Sequence, residues 1–176
     1  MRLAVLASPD SWYLADLRRA AGERHRLEGL PFSRLSAHLD SRGCSTLAAG
    51  GVPLGDFDAV LVRSMPIGSL EQVVFRMDVL QRLQEQGVPV VNPPRALEAA
   101  VDKYLASAKL QAAGLPTPPT LVCQSFEEAM DGFQQLGGDV VVKPLFGSEG
   151  RGILRVDEPS LAQRVFKALV QLGSVV

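Results

Sequence analysis

Apolar residues fall into short uninterrupted runs separated by longer segments with helical spacing. Residues 3–7 form an apolar run without period-of-two alternation, the pattern of a strand buried on both faces of a parallel sheet. Residues 14–21 predict a helix. Residues 58–63 (Asp-Ala-Val-Leu-Val-Arg) predict a second buried strand. The helix after it places Leu70, Val73, Val74, Met77, Leu80 and Leu83 on one face. Gly87 ends that helix, and residues 88–91 predict a third strand. Strand, helix, strand in this order implies a parallel sheet with crossover helices. Residues 25–55 look irregular: alternation near 26–32, a short polar segment, then Gly50, Gly51 and Pro53.

Asn92-Pro93-Pro94 interrupts the pattern. Residues 96–113 read as two helical pieces meeting near Asp102, which is placed to cap the second. Gly114, Pro116, Pro118 and Pro119 make a stiff connector. The expected organisation is an α/β domain over 1–92, a helical linker over 93–118 and a second region over 119–176. That region begins with a predicted strand at 120–123. A helix over 125–136 follows, opened by a capping box of Ser125 and Glu128, with Phe126, Ala129, Met130, Phe133 and Leu136 inward. Residues 139–144 and 152–156 predict a hairpin around a glycine-containing turn. Leu161, Val165, Phe166, Leu169 and Leu172 mark a last helix. Residues 172–176 read as a helix C-cap and the first residues of a further strand, so the chain is expected to be a fragment or a truncated product.

Composition narrows the class of function. The chain has 176 residues, 47% hydrophobic and 21% charged, enough apolar material for a core in one domain or two small ones. It carries 18 basic and 19 acidic side chains for a net charge of −1, so neither nucleic acid nor a membrane surface is an expected partner. No run approaches the roughly 20 apolar residues of a membrane span. The N-terminal run is too short for a signal-peptide core, and a cytoplasmic protein is expected. Cys44 and Cys123 sit in no CxxC arrangement and read as reduced thiols. His25 and His38 lack partners at metal-ligand spacing.

The candidate chemistry lies in Val140-Val141-Val142-Lys143-Pro144 and the segment that follows, Gly147-Ser148-Glu149-Gly150-Arg151-Gly152. Lys143 lies in a strand that reads as buried, where an ammonium calls for an anion. The glycines let backbone approach a ligand, and their N–H groups can form an anion-binding concavity. Ser148 and Arg151 add donors. A plain hairpin turn and an edge-strand lysine reaching water are the alternatives. The loop joins two strands, so it is neither a Walker loop, where Gly-Lys-Ser/Thr opens a helix, nor a Rossmann fingerprint. Lys103 follows Asp102 at a helix start, where anions are attracted, although a solvated helix lysine fits the same spacing. Arg63 and Ser64 follow the second strand, where parallel sheets place ligand groups. A surface arginine near a turn is the other reading.

Asn92-Pro93-Pro94, Val101-Asp102-Lys103-Tyr104, the connector of residues 110–120, Val142-Lys143-Pro144 and the glycine segment 147–152 together resemble the ATP-grasp superfamily. The resemblance is greatest to its RimK-type branch of α-L-glutamate ligases, and spans essentially the whole chain. It implies a small parallel α/β pre-ATP-grasp domain followed by the α+β first lobe of an ATP-grasp domain. Lys143 matches the lysine that contacts the α-phosphate side of ATP and the adenine edge. Lys103 matches an earlier lysine that approaches the phosphates. Residues 147–152 match the loop that closes over the β- and γ-phosphates.

The family reaction joins a carboxylate to an amine. The carboxylate attacks the γ-phosphorus to give an acyl phosphate, and the amine then displaces phosphate. Positioning and charge neutralisation dominate such chemistry. The resemblance implies ATP and Mg2+ as cofactors, and a carboxylate acceptor with glutamate as the amine. No catalytic or metal-ligating residue is assigned in this chain: Glu149, Asp157 and Glu158 make no octahedral oxygen site. The second lobe and its metal ligands are absent from the sequence, and the chain alone is expected to be inactive. The alternatives are a non-catalytic nucleotide-binding or regulatory module with a retained half-site, and an unrelated α/β protein with a coincidental hairpin. A homo-oligomer stays open.

Overall fold

The computed structural model describes residues 1–8, 10–43, 45–146, 150, 152–174 and 176. The chain divides into two compact units, Met1–Glu98 and Ala99–Val176. The first unit is built on a parallel sheet of β1 (Arg2–Leu6), β2 (Arg26–Leu30), β6 (Ala59–Val62) and β7 (Val90–Val91), in the spatial order β2-β1-β6-β7. Every pairing is parallel, with Leu3 opposite both Leu27 and Ala59. Helices α1 (Trp12–Ala21) and α2 (Leu70–Glu85) make the crossovers.

Alternate side chains of β1 and Ala7, which follows it, serve two cores. Val5 and Ala7 pack with Leu14 of α1, while Ala4 and Leu6 join Val60, Val62, Met77, Leu80 and Leu83. Both faces of the sheet are therefore covered, which explains the uninterrupted apolar run. Each fully buried Leu or Val contributes about 1.5–3 kcal/mol.

Residues 25–55 hold more order than their sequence pattern suggests. Besides β2, they contain an antiparallel meander of β3 (Leu35–Leu39), β4 (Ser45–Ala49) and β5 (Val52–Pro53). β3 is exposed along nearly its whole length, so it has no apolar face to mark it. Leu47 and Ala49 of β4 anchor the meander to the main core.

α2 is rotated from its expected face. Leu70 and Val74 are exposed, whereas Arg76 and Val79 are buried beside Met77, Leu80 and Leu83. The cause is local: Arg76 Nη1 donates to the carbonyl of Pro66 at 2.7 Å, which draws the guanidinium inward. A capping box opens the helix, with Gln72 N–H donating to Ser69 Oγ at 3.3 Å and Ser69 N–H to Gln72 Oε1 at 3.1 Å.

Helix α3 (Pro94–Val101) carries the chain into the second unit, which contains α4 (Lys103–Ala112), α5 (Phe126–Gln135), β8 (Val140–Val142), β9 (Leu154–Val156) and α6 (Pro159–Gln171). Its core gathers Cys123, Ala129, Phe133, Val156, Ala162 and Phe166. Phe133 and Phe166 meet edge to face, with centroids 6.4 Å apart. The expected strand at 120–123 is not regular, yet Cys123 and Val176 exchange two backbone hydrogen bonds of 2.7 and 2.9 Å. No helix among the described residues is long and apolar enough to cross a membrane.

Candidate functional site

Lys143 follows directly on β8, a strand shorter than the expected 139–144. Val140 and Val142 pack toward the core, while Val141 faces outward and is 55% exposed. Lys143 continues that outer face and is itself exposed. The expectation of a lysine buried in its strand is therefore corrected. The β8–β9 hairpin is covered on one face only, so three consecutive valines overstate the burial. The lysine reaches outward, and its availability to an anion needs no buried ammonium.

β8 and β9 pair antiparallel, with Val142 opposite Leu154. Arg155 grips Asp139 in a fork, Nε to Oδ1 at 2.9 Å and Nη2 to Oδ2 at 2.8 Å. That hydrogen bonding holds the Asp139 carboxyl below its ordinary value of 3.8; slight desolvation opposes the shift, and the charge of Arg155 adds to it. Gly152 re-enters the hairpin at φ +74°, where a Cβ would come within 2.8 Å of Pro144 Cγ. Both the dihedral and the close approach require glycine there. Gly150 also has positive φ, at +71°. Gly147, Ser148, Glu149 and Arg151 lie outside the described residues.

The structure joins the two lysine-bearing segments. Asp102 and Phe146 form an antiparallel bridge, and Lys103 N–H donates to the Leu145 carbonyl at 3.2 Å. The start of α4 is thus stitched to the backbone two residues beyond Lys143. Asp102 caps the helix as expected, with Oδ1 accepting from Leu105 N–H at 2.9 Å. Ser107 Oγ donates back to the Lys103 carbonyl at 2.8 Å. The N-terminus of α4 is thereby joined to the end of the hairpin that carries Lys143. Lysines and a helix N-terminus can hold phosphate oxygens through ammonium groups and backbone N–H donors.

Arg63 and Ser64 sit in the first unit. Both of their N–H groups donate to the Leu6 carbonyl, at 3.1 and 3.4 Å, which seats them at the C-terminal ends of β1 and β6. The crossovers leave these two strands in opposite directions, so their ends flank the sheet's topological switch point, where ligands commonly bind. The Arg63 guanidinium lies 3.5 Å over the ring of Tyr13, which itself contacts Trp12. Sequence reasoning missed this aromatic pair. Its signal was an exposed Trp-Tyr immediately after the first buried strand. Among the described residues, no three His, Cys, Asp or Glu side chains gather in a way that could hold a metal ion.

The RimK PreATP-grasp domain family matches residues 1–97. The chain is similar to tetrahydromethanopterin:alpha-L-glutamate ligase of Methanosarcina acetivorans, 37% identical over 161 residues that cover 88% of this chain and 48% of that protein. It is also similar to the glutathione synthetase of Yersinia pestis, 35% identical over 127 residues that cover 70% of this chain and 37% of the synthetase. Among solved structures, the RimK domain protein ATP-grasp of Sphaerobacter thermophilus superposes with a TM-score of 0.72 at 24% identity, covering 99% of this chain and 62% of that one. The chain thus spans about half the length of the methanopterin ligase and less of the synthetase.

Proposed function

The chain belongs to the RimK-type ATP-grasp proteins, and on that premise we propose that it supplies the pre-ATP-grasp domain and the phosphate-gripping part of the ATP site of a carboxylate–amine ligase. The observation that carries this reading is the stitch between Lys103 and the segment after Lys143. The backbone of Lys103 is tied to Leu145, two residues beyond Lys143. Gly147, Ser148, Glu149, Gly150, Arg151 and Gly152 would close over the β- and γ-phosphates.

In this reading a substrate carboxylate attacks the γ-phosphorus, and the P–O bond to ADP breaks. An amine then attacks the acyl phosphate, expelling phosphate and leaving an amide. Lys103 and Lys143 offset the charge of the phosphates; the protein's work is alignment and electrostatics. Glutamate is the proposed amine, by likeness to the methanopterin ligase. Arg63 and Ser64 would face the carboxylate substrate. The proposed setting is the cytoplasm, where ATP is abundant. We further propose that the 176-residue chain binds nucleotide without completing turnover.

Phosphorus NMR of ATP titrated with the chain tests the reading. The β and γ resonances should broaden and shift with the wild type and respond less with Lys103→Ala or Lys143→Ala. A response confined to the adenine protons, or one indifferent to both lysines, would remove the phosphate-gripping role.

A further inference from the structure

Arg76 is a charged residue buried on α2, 6% exposed, and no role in nucleotide binding accounts for it. Among the described residues it forms one hydrogen bond, to the Pro66 carbonyl, and no ion pair. A guanidinium carries five N–H donors. Leaving such a charge buried without a counter-ion costs several kcal/mol. Gly68 permits the burial: a Cβ there would lie 2.8 Å from Arg76 Nη1 and 3.1 Å from Nη2. The Phe32 ring lies 5.9 Å from the guanidinium carbon.

Beside this side chain lies a cleft of about 200 Å3, lined by Phe32, Ser33, Leu35, Gln72, Phe75 and Arg76. It is formed within the first unit by the 3-10 turn Phe32–Arg34 that follows β2 and by the first half of α2. Both segments follow C-terminal ends of parallel strands, the side on which such sheets take ligands. Three of its lining side chains are apolar. Ser33 and Gln72 bring polar groups, and Arg76 brings the charge. An apolar wall with a few convergent polar groups is the usual make-up of a small-molecule site.

We propose that this cleft is a binding site for a small organic carboxylate, whose anionic head pairs with Arg76 while a short planar or branched body rests on Phe32, Leu35 and Phe75. The carboxylate supplies the counter-charge that the fold does not, and a planar fork is the geometry a guanidinium matches best. The site is separate from the lysine and glycine cluster of the second unit, and stands or falls independently of it.

The probes are benzoate and its neutral isostere benzamide, titrated into the full chain while the Arg76 Nε–Hε resonance is followed by NMR. Benzoate should give a saturable shift, and benzamide at least roughly tenfold weaker binding. Ser33→Asp places a carboxylate in the cleft without touching the arginine. It should abolish the benzoate response and raise the melting temperature, whereas Ser33→Asn should do neither. Equal responses to benzoate and benzamide, no saturable shift, or undiminished benzoate binding in a folded Ser33→Asp chain would each overturn the proposal.

Discussion

At the scale of single residues, the account turns on groups whose surroundings leave little choice. Gly152 combines positive φ with a backbone that nearly touches Pro144. The left-handed conformation alone costs an L residue about 1–2 kcal/mol. Gly152→Ala is therefore expected to destabilise the second unit by at least that amount in urea unfolding, and to weaken nucleotide binding in proportion. Asp139 gives a pH signature. Its folded value lies below the ordinary 3.8, so its contribution is intact above 3.8 and is lost as pH falls through the lowered value. The pair is exposed, and the effect is small and salt-sensitive. Carbon NMR of the Asp139 carboxyl should show its midpoint rise in Arg155→Met. Burial, and secondarily the charge of Glu128, push the Cys123 thiol upward. It should resist iodoacetamide at pH 8 in the folded chain and react readily once urea is added.

At the scale of elements, caps and faces decide. Asp102→Ala removes the cap of α4 and is expected to cost about 1 kcal/mol, while Asp102→Asn should keep most of it, as urea melts can show. Both caps singled out in the sequence, Asp102 and Ser125, accept the N–H three residues on. β1 and β6 were legible because both of their faces are covered, which leaves an unbroken apolar run; β2, with Arg26 and Glu28, carries no such run. The meander was not, because β3 is exposed and carries no alternation to read. The same logic misjudged Lys143: a hairpin covered on one face can still use valine on the other. α2 misled for a different reason. Periodicity scores Leu70 and Val74 as core and Arg76 as surface, and only the Pro66 carbonyl and the space beside Gly68 invert that order.

At the scale of the molecule, each unit has a core of its own, and function is read from sites within each. Phe166 sits at the centre of the second core, 2% exposed and edge-on to Phe133. Phe166→Ala should cost about 3–5 kcal/mol, a large share of the stability of so small a unit. Hydrogen exchange should show the lost protection in Ala99–Val176. Much of the candidate site was legible because lysines, glycines and prolines punctuate the chain in a fixed order. What could not be read was the join itself, since a bridge between Asp102 and Phe146 is made by backbone atoms and leaves no side-chain signature. The central claim is that Lys103 and Lys143 act together on the phosphates of one nucleotide. Calorimetric titration of a non-hydrolysable ATP analogue into the wild type, Lys103→Ala, Lys143→Ala and the double variant tests it most directly. Each single change should weaken binding roughly tenfold, about 1.4 kcal/mol, and the double should lose less than the sum. Unchanged affinity in the single variants, or losses that add in full, would contradict the account.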